Sequence, residues 1–343
     1  MLNGVSDQFK LILPTEKTPL IVEPKSQDIC WQNQVDSLAA LIKKYQRSTG
    51  ALLFRGFNFD QVDDFYAFVK SFGHDLLSYE FGSTPRSHLG KGVYTSTEYP
   101  AHQIIPQHNE QAYTLQWPLN IWFHCVTPAQ EGGETPIGDS RLIYKNIDPA
   151  IRQRFEKKGL LYVRNYGNGL DVPWEQAFNT EDKSQAEKFA RNNRINMEWK
   201  DDGELRTHQL CQATAKHPYT GDWVWFNQAH LFHVSNLDAS VREMLLDCVD
   251  EEDLPRNVYY GDGSPIEESI LHDIRAVIDE ATKTFSWEQG DVMLLDNMLT
   301  THGRLTFKGD RKVVVAMTEA YDSMLENRPA QDMAEQEVMG DVL

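Results

Sequence analysis

The sequence predicts an α+β protein with a mainly β core: a jelly-roll or cupin-like double-sheet barrel with flanking helices and a lid insertion. Three observations carry that prediction. Short apolar strand candidates are scattered along the chain from Leu11 to Met317. Helical periodicity is confined to two early stretches and to later insertions between strands, which suits packed sheets better than a doubly wound parallel sheet. No Gly-x-Gly-x-x-Gly follows a strand and no Gly-x-x-x-x-Gly-Lys-Ser/Thr occurs, so a nucleotide fold has no anchor.

The elements follow in chain order. Residues 1–30 are extended and interrupted by Pro14, Pro19 and Pro24, with Leu11–Leu13 and Leu20–Val22 as short strands. Val35, Leu38, Ile42 and Tyr45 keep a helical period that Gly50 ends. Ala51–Arg55 is an apolar strand, and Asp60 is placed to cap a helix carrying Val62, Phe65, Val69 and Phe72. Residues 79–105, rich in Gly, Ser, Thr and Pro, form a long irregular segment of the kind that lines sites.

Leu119–Val126 alternates as a strand, the turn-rich Pro128–Pro136 follows, and Asp139 or Ser140 starts a short helix before a strand at Leu160–Arg164. Residues 167–206 switch to Gly, Pro and a charged helical run without a strong apolar stripe, and are expected to be a lid. Trp223–Gln228 is a buried strand, Ser240–Asp250 and Glu267–Thr284 are helices, and Val292–Asp296 and Lys312–Met317 return to sheet. The expected organisation is one domain over residues 1–321 and a polar tail over 322–343.

Composition narrows the function. The chain has 343 residues, 41% of them hydrophobic, enough for a sizeable core in one unit. Its formal net charge of −18 repels nucleic acid and anionic membranes, so small molecules are the expected partners. No basic start precedes an apolar run and no 18-residue apolar segment occurs, which points to the cytoplasm. Cys30, Cys125, Cys211 and Cys248 are widely spaced, without Cys-x-x-Cys, and are expected to be reduced thiols.

The chemistry centres on His108-Asn109-Glu110. On an extended segment, residues two apart point to one side, so the imidazole and carboxylate can share a metal. A distant imidazole such as His302 would complete a two-histidine, one-carboxylate facial set, which leaves three adjacent positions open and suits ferrous iron handling oxygen. The pair alone is weak, because chance predicts roughly one to two His-x-Asp/Glu pairs in such a composition. If 2-oxoglutarate is the cosubstrate, its far carboxylate needs a forked cation. Arg311 lies where a turn returns the chain beside His302, Arg304 is its rival, and Thr135 is placed as a hydroxyl donor.

Taken together, His108-x-Glu110, Gly132-Gly133-Glu134-Thr135 and Asp296-Asn297…His302-Gly303-Arg304…Gly309-Asp310-Arg311 resemble the taurine/2-oxoglutarate dioxygenase family. Within it the likeness is to clavaminate-synthase-like members and the hydroxylases of syringomycin-type biosynthesis, and it runs from about Gly50 to Met317 with order and spacing kept. The resemblance implies a double-stranded β-helix, Fe(II) on His108, Glu110 and His302, and 2-oxoglutarate on Arg311 and Thr135. It also implies an oxygen-using hydroxylase of a small amino-acid-like substrate in natural-product biosynthesis. Two departures matter. Where taurine-type enzymes carry a second arginine, this chain has Val315, which argues against a sulfonate-like substrate; and Glu110 keeps the carboxylate that related halogenases lack.

Weaker candidates surround this set. Tyr113 is a candidate substrate wall, against the plain alternative of core packing. Asn227, Gln228 and His230 follow a strand as a polar end facing a cavity, against ordinary hydrogen-bond satisfaction. His230 and His233 form a rival metal pair that has no carboxylate close by in sequence. Two alternatives stand beside the enzyme reading: a non-catalytic jelly-roll binding protein, and a peptide or protein hydroxylase on the same scaffold. An acyl or peptidyl carrier protein and a second copy of the chain are the macromolecular partners left open.

Overall fold

Two long antiparallel strands, Gln116–Thr127 and Lys312–Asp322, form the spine of the molecule. They are central in an eight-stranded sheet that runs, edge to edge, through Phe9–Ile12, Leu20–Pro24, Ala51–Phe54, Val292–Asp296, Gln116–Thr127, Lys312–Asp322, Val93–Thr95 and His88–Gly90. The computed structural model describes residues 8–15, 19–59, 61–78, 86–167, 169–170, 172–200 and 203–326.

The central strands read as continuous apolar runs because both of their faces are buried. Side chains alternate across the sheet. Leu52, Phe54, Trp122, Leu294, Val314 and Ala316 face a cluster closed by Leu38 and Leu41 from the helix Val35–Thr49 and by Phe65, Phe68 and Val69 from the helix Val62–Lys70. Leu53, Ile121, Phe123, Cys125, Met293, Leu295, Val313 and Val315 point the other way, into a barrel interior shared with Ile137, Phe285 and Trp287. Each fully buried aliphatic or phenyl side chain contributes about 1.5–3 kcal/mol, so the two clusters hold the sheet from both sides.

The first helix ends at Gly50, whose φ of 73° is left-handed and whose N–H bonds to Gln46 O at 2.7 Å. A Cβ there would also collide with Thr300 Oγ1, so only glycine fits. The second helix begins at a capping box made by Gln61 and Asp64. Asp60, the expected cap, lies outside the described residues.

The barrel is closed by a smaller antiparallel sheet in the order Thr282–Lys283, Ile137–Asp139, Thr300–Arg304, Ile105–His108. A third sheet, Ile195–Trp199, Leu205–Cys211, Leu160–Tyr166 and Arg256–Tyr260, packs beside it with the helix Glu268–Glu280. The stretch expected to be a lid belongs to this third layer. Trp174, Ala177, Ala186, Ala190 and Ile195 are buried in one cluster with Tyr162, Tyr166 and Leu205. The helix Lys183–Asn192 is anchored by buried Ala186 and Ala190 together with half-buried Phe189, whose ring meets Phe178 edge-on at 5.8 Å.

The last strand runs five residues past the expected Met317, and a short helix, Ser323–Glu326, follows. Residues 327–343 of the expected tail lie outside the described residues. All four cysteines are free, with Cys125 and Cys211 buried. Among the described residues no helix is long and apolar enough to cross a membrane.

Candidate active site

The smaller sheet assembles the site. Its strands Thr300–Arg304 and Ile105–His108 pair antiparallel with His302 directly opposite His108. Facing residues on neighbouring strands bring their side chains together, and the two imidazole centroids are 4.6 Å apart at 49°. The early strand stops at His108, and Glu110 opens a turn that continues to Gln111, at φ 55°. Glu110 is therefore positioned by tertiary contacts instead of by strand alternation. Asn297 Oδ1 accepts from Glu110 N at 2.7 Å, and Asn297 Nδ2 donates to Glu110 O at 3.0 Å and Pro118 O at 2.9 Å. Asn297 O accepts from Asn109 Nδ2 at 2.6 Å.

The result is a set of three ligand atoms, one each from His108, Glu110 and His302, all within 4.8 Å of one another. Glu110 Oε2 lies 3.9 Å from His302 Nε2. His108 Nδ1 donates to Pro106 O at 2.9 Å, which leaves Nε2 as the lone-pair nitrogen facing the set. Burial lowers the proton affinity of His108, with Glu110 pulling the other way. His302 is pushed well below the usual histidine range by burial, then by His108 and Arg86. Both imidazoles are thus neutral, the form that ligates a metal. The fit to a divalent metal rests on this donor set of two neutral imidazoles and one carboxylate. His302 Nδ1 is buried without a hydrogen-bond partner among the described residues, unlike the supporting contact seen at His108.

Arg311 enters the same cavity as His108 and His302. Its Nε donates to Gly133 O at 2.9 Å, and no carboxylate among the described residues pairs with it. Burial, then Arg304, pushes its proton affinity down to about 10, while Cys125 and Glu134 oppose the shift. Gly133 makes the approach possible: at φ 73° a Cβ would stand 2.9 Å from Arg311 Cδ and 3.0 Å from its Nε. Thr135 lines the cavity too, and its Oγ1 accepts from Trp287 Nε1 at 3.0 Å, so its own hydrogen is available to donate.

Arg304, the rival cation, is committed elsewhere. Its Nη1 donates to Tyr99 O at 2.8 Å, and its Nη2 to Pro100 O at 2.7 Å and Gln103 O at 2.6 Å, which ties down the loop over the site. A wider cavity of about 420 Å³ opens on the other side of His108 and Glu110, walled by Ile104, Ile105, Leu231, Phe232, Leu237 and Val241. Tyr99, residues 103–106 and parts of the segment 231–241 line it, and no described residue of 167–206 does.

The weaker candidates separate. Gln228 lines the wide cavity, with Nε2 bonded to Asn109 O at 2.8 Å. Tyr113 does not line it; the ring is buried against Phe232 and Tyr162 as core. Asn227 Nδ2 donates to Ala213 O and its Oδ1 accepts from Ala229 N, a turn brace. His230 Nε2 bonds to Gln107 O at 2.9 Å, and burial pushes it down to about 4. His233 Nδ1 is engaged by Ser235, and among the described residues the only cluster able to hold an ion is His108, Glu110 and His302. Arg86, Asn297 and Trp287 carry no site role in the sequence reading. Arg86 had a faint signal, a lone arginine in the irregular segment that leads to His108.

The family model for the taurine catabolism dioxygenase TauD, TfdA family matches residues 24–318. The chain belongs to the TauD/TfdA dioxygenase family. This TauD/TfdA dioxygenase is 42% identical over 283 residues to the dapdiamide synthesis protein DdaC of Enterobacter agglomerans, covering 82% of this chain and 86% of DdaC. It is 34% identical over 280 residues to a clavaminate synthase-like protein of Arabidopsis thaliana, covering 78% and 81%. In fold it resembles PvcB from Pseudomonas aeruginosa, with TM-score 0.54, 16% identity and 92% and 94% coverage. A taurine dioxygenase from Burkholderia xenovorans gives TM-score 0.52, 17% identity and 91% and 89% coverage. The jelly-roll core expected from scattered strands is thus the TauD-type core, and the chain is a dioxygenase.

Proposed function

We propose that this TauD/TfdA dioxygenase uses Fe(II) and 2-oxoglutarate to hydroxylate, or otherwise oxidise at a C–H bond, a small amino-acid-derived substrate, free or carrier-tethered, in natural-product biosynthesis. The observation that carries the reading is Arg311. A half-buried guanidinium with no carboxylate partner among the described residues opens into the cavity that holds His108 and His302. Burying such a charge is costly unless an anion completes it.

When bound, Fe(II) and 2-oxoglutarate supply the oxygen-activating chemistry. The chain's own residues hold and orient. His108, Glu110 and His302 would hold the metal, their three donor atoms lying within 4.8 Å of one another. Arg311 offers a fork and Thr135 a hydroxyl proton to the far carboxylate of 2-oxoglutarate, with Trp287 fixing that hydroxyl's direction. Ile105, Leu231 and Phe232 keep water from the substrate side, and Gln228 supplies a polar contact.

A cavity of about 420 Å³ suits a small molecule or the end of a tethered one. Similarity to DdaC, by name a dapdiamide synthesis protein, supports a biosynthetic setting. Free thiols suit the cytoplasm. The test is oxygen-dependent succinate formation by the Fe(II)-loaded protein, with amino acids and carrier-bound aminoacyl groups as stimulants. Substrate-stimulated succinate is expected; a protein that takes up no Fe(II) and forms no succinate sinks the reading.

A further inference from the structure

The site holds one more guanidinium. Arg86 Nη2 donates to Glu110 Oε2 at 2.6 Å, and the two side chains are 5% and 4% exposed. Oε2 is also the oxygen that lies 3.9 Å from His302 Nε2. Arg86 lines the same cavity as Arg311, Thr135, His108 and His302. Its charge reaches both imidazoles, adding to the effects that keep them unprotonated.

A divalent cation held by the triad would draw on the carboxylate that Arg86 grips. Two cations on one buried carboxylate repel strongly, because little solvent screens them. A dication at the triad adds two positive charges close to Arg86 and Arg311, which line the same cavity. An anion entering the cavity relieves this by placing negative charge beside the guanidinium, which lines that cavity. Arg304 cannot take that part, since three carbonyls occupy it.

We propose that Arg86 couples metal and anion binding: its guanidinium opposes a dication at Glu110 until an anionic ligand enters the cavity and pairs with it, so that the two bind cooperatively. The inference rests on the Fe(II)/2-oxoglutarate reading and assigns a residue that links the affinities of this site for its two ligands.

The experiment is calorimetric titration of Mn(II) into the full-length protein, with and without 2-oxoglutarate, for wild type, R86Q and R86M. The quantity read is the gain in Mn(II) affinity caused by 2-oxoglutarate. Direct chelation contributes to that gain in every variant and cancels in the comparison. R86Q is expected to bind Mn(II) alone about tenfold tighter than wild type and to lose about tenfold of the gain. R86M repeats the measurement if thermal unfolding shows R86Q to be poorly folded. A gain in both variants equal to wild type overturns the coupling and leaves the proposed function standing. Wild-type protein that binds neither Mn(II) nor 2-oxoglutarate removes that function and this inference with it.

Discussion

Asn297 and Glu110 exchange two hydrogen bonds, side-chain amide against backbone N–H and carbonyl, across 187 residues of chain. The amide acts on Glu110 as a neighbouring strand would, at a place where the strand has already ended. The carboxylate of the metal set thus depends on a residue five positions before the imidazole that completes it. N297A should cost about 3 kcal/mol by stranding buried partners and weaken Mn(II) binding about tenfold or more. N165A, which loses comparable buried bonds in the third sheet, is the control. Equal Mn(II) affinity in the two variants would remove the positioning role.

E110A should abolish Mn(II) binding and succinate formation while circular dichroism stays native, since removing the acid leaves two neutral imidazoles as ligands. Stoichiometric metal retained on the purified variant would take Glu110 out of the site.

Arg311 and Arg304 should separate by readout. R311Q is predicted to weaken 2-oxoglutarate binding by about a hundredfold, consistent with loss of a charge-assisted pair, with Mn(II) affinity near wild type. G133A should act in the same direction, because its new methyl group pushes Arg311 aside. R304Q should chiefly lower the melting temperature, through the loop carbonyls it releases. A selective loss of 2-oxoglutarate affinity in R304Q alone would reverse the assignment.

His124 gives a pH prediction away from the metal set. It is fully buried, stacked on Phe65 with centroids 5.3 Å apart, and burial lowers its proton affinity against the pull of Asp291 O. The unfolded chain therefore binds the extra proton, starting near pH ~6.5. Stability associated with His124 is complete above that pH and is lost as pH falls toward the lowered folded value. H124F should unfold with a shallower loss of melting temperature between pH 7.5 and 5.5 than wild type; parallel curves would refute it.

The central strands were legible in the sequence because burial on two faces leaves uninterrupted apolar runs, as at Val292–Asp296. The clustering of His108, Glu110 and His302 was legible through the family resemblance, because few residue types ligate a metal and the early pair alone is no rarer than chance. Arg311 was already preferred to Arg304 by the resemblance, and the coordinates add their different surroundings, the turn at Gly133 for one and the carbonyls of residues 99–103 for the other. Tyr113 illustrates a general limit, since an aromatic that walls a cavity and one that fills a core obey the same hydrophobic pattern. Helix packing through Ala186, Ala190 and Phe189 was overlooked because charged residues dominate the composition of that stretch, although its apolar residues keep helical spacing. Arg86 left only the faint signal of a lone arginine in the segment before His108, because its pairing with Glu110 is set by tertiary geometry.

The facing of His302 and His108 across two strands also dictates when an ion can be captured. One imidazole emerges early in synthesis and the other close to the end, so a truncated or nascent polypeptide offers at most two of the three donors. On the proposed reading a metal ion would then be no nucleus for folding but a seal, and its uptake would report that the last strands of the barrel have docked in the correct register.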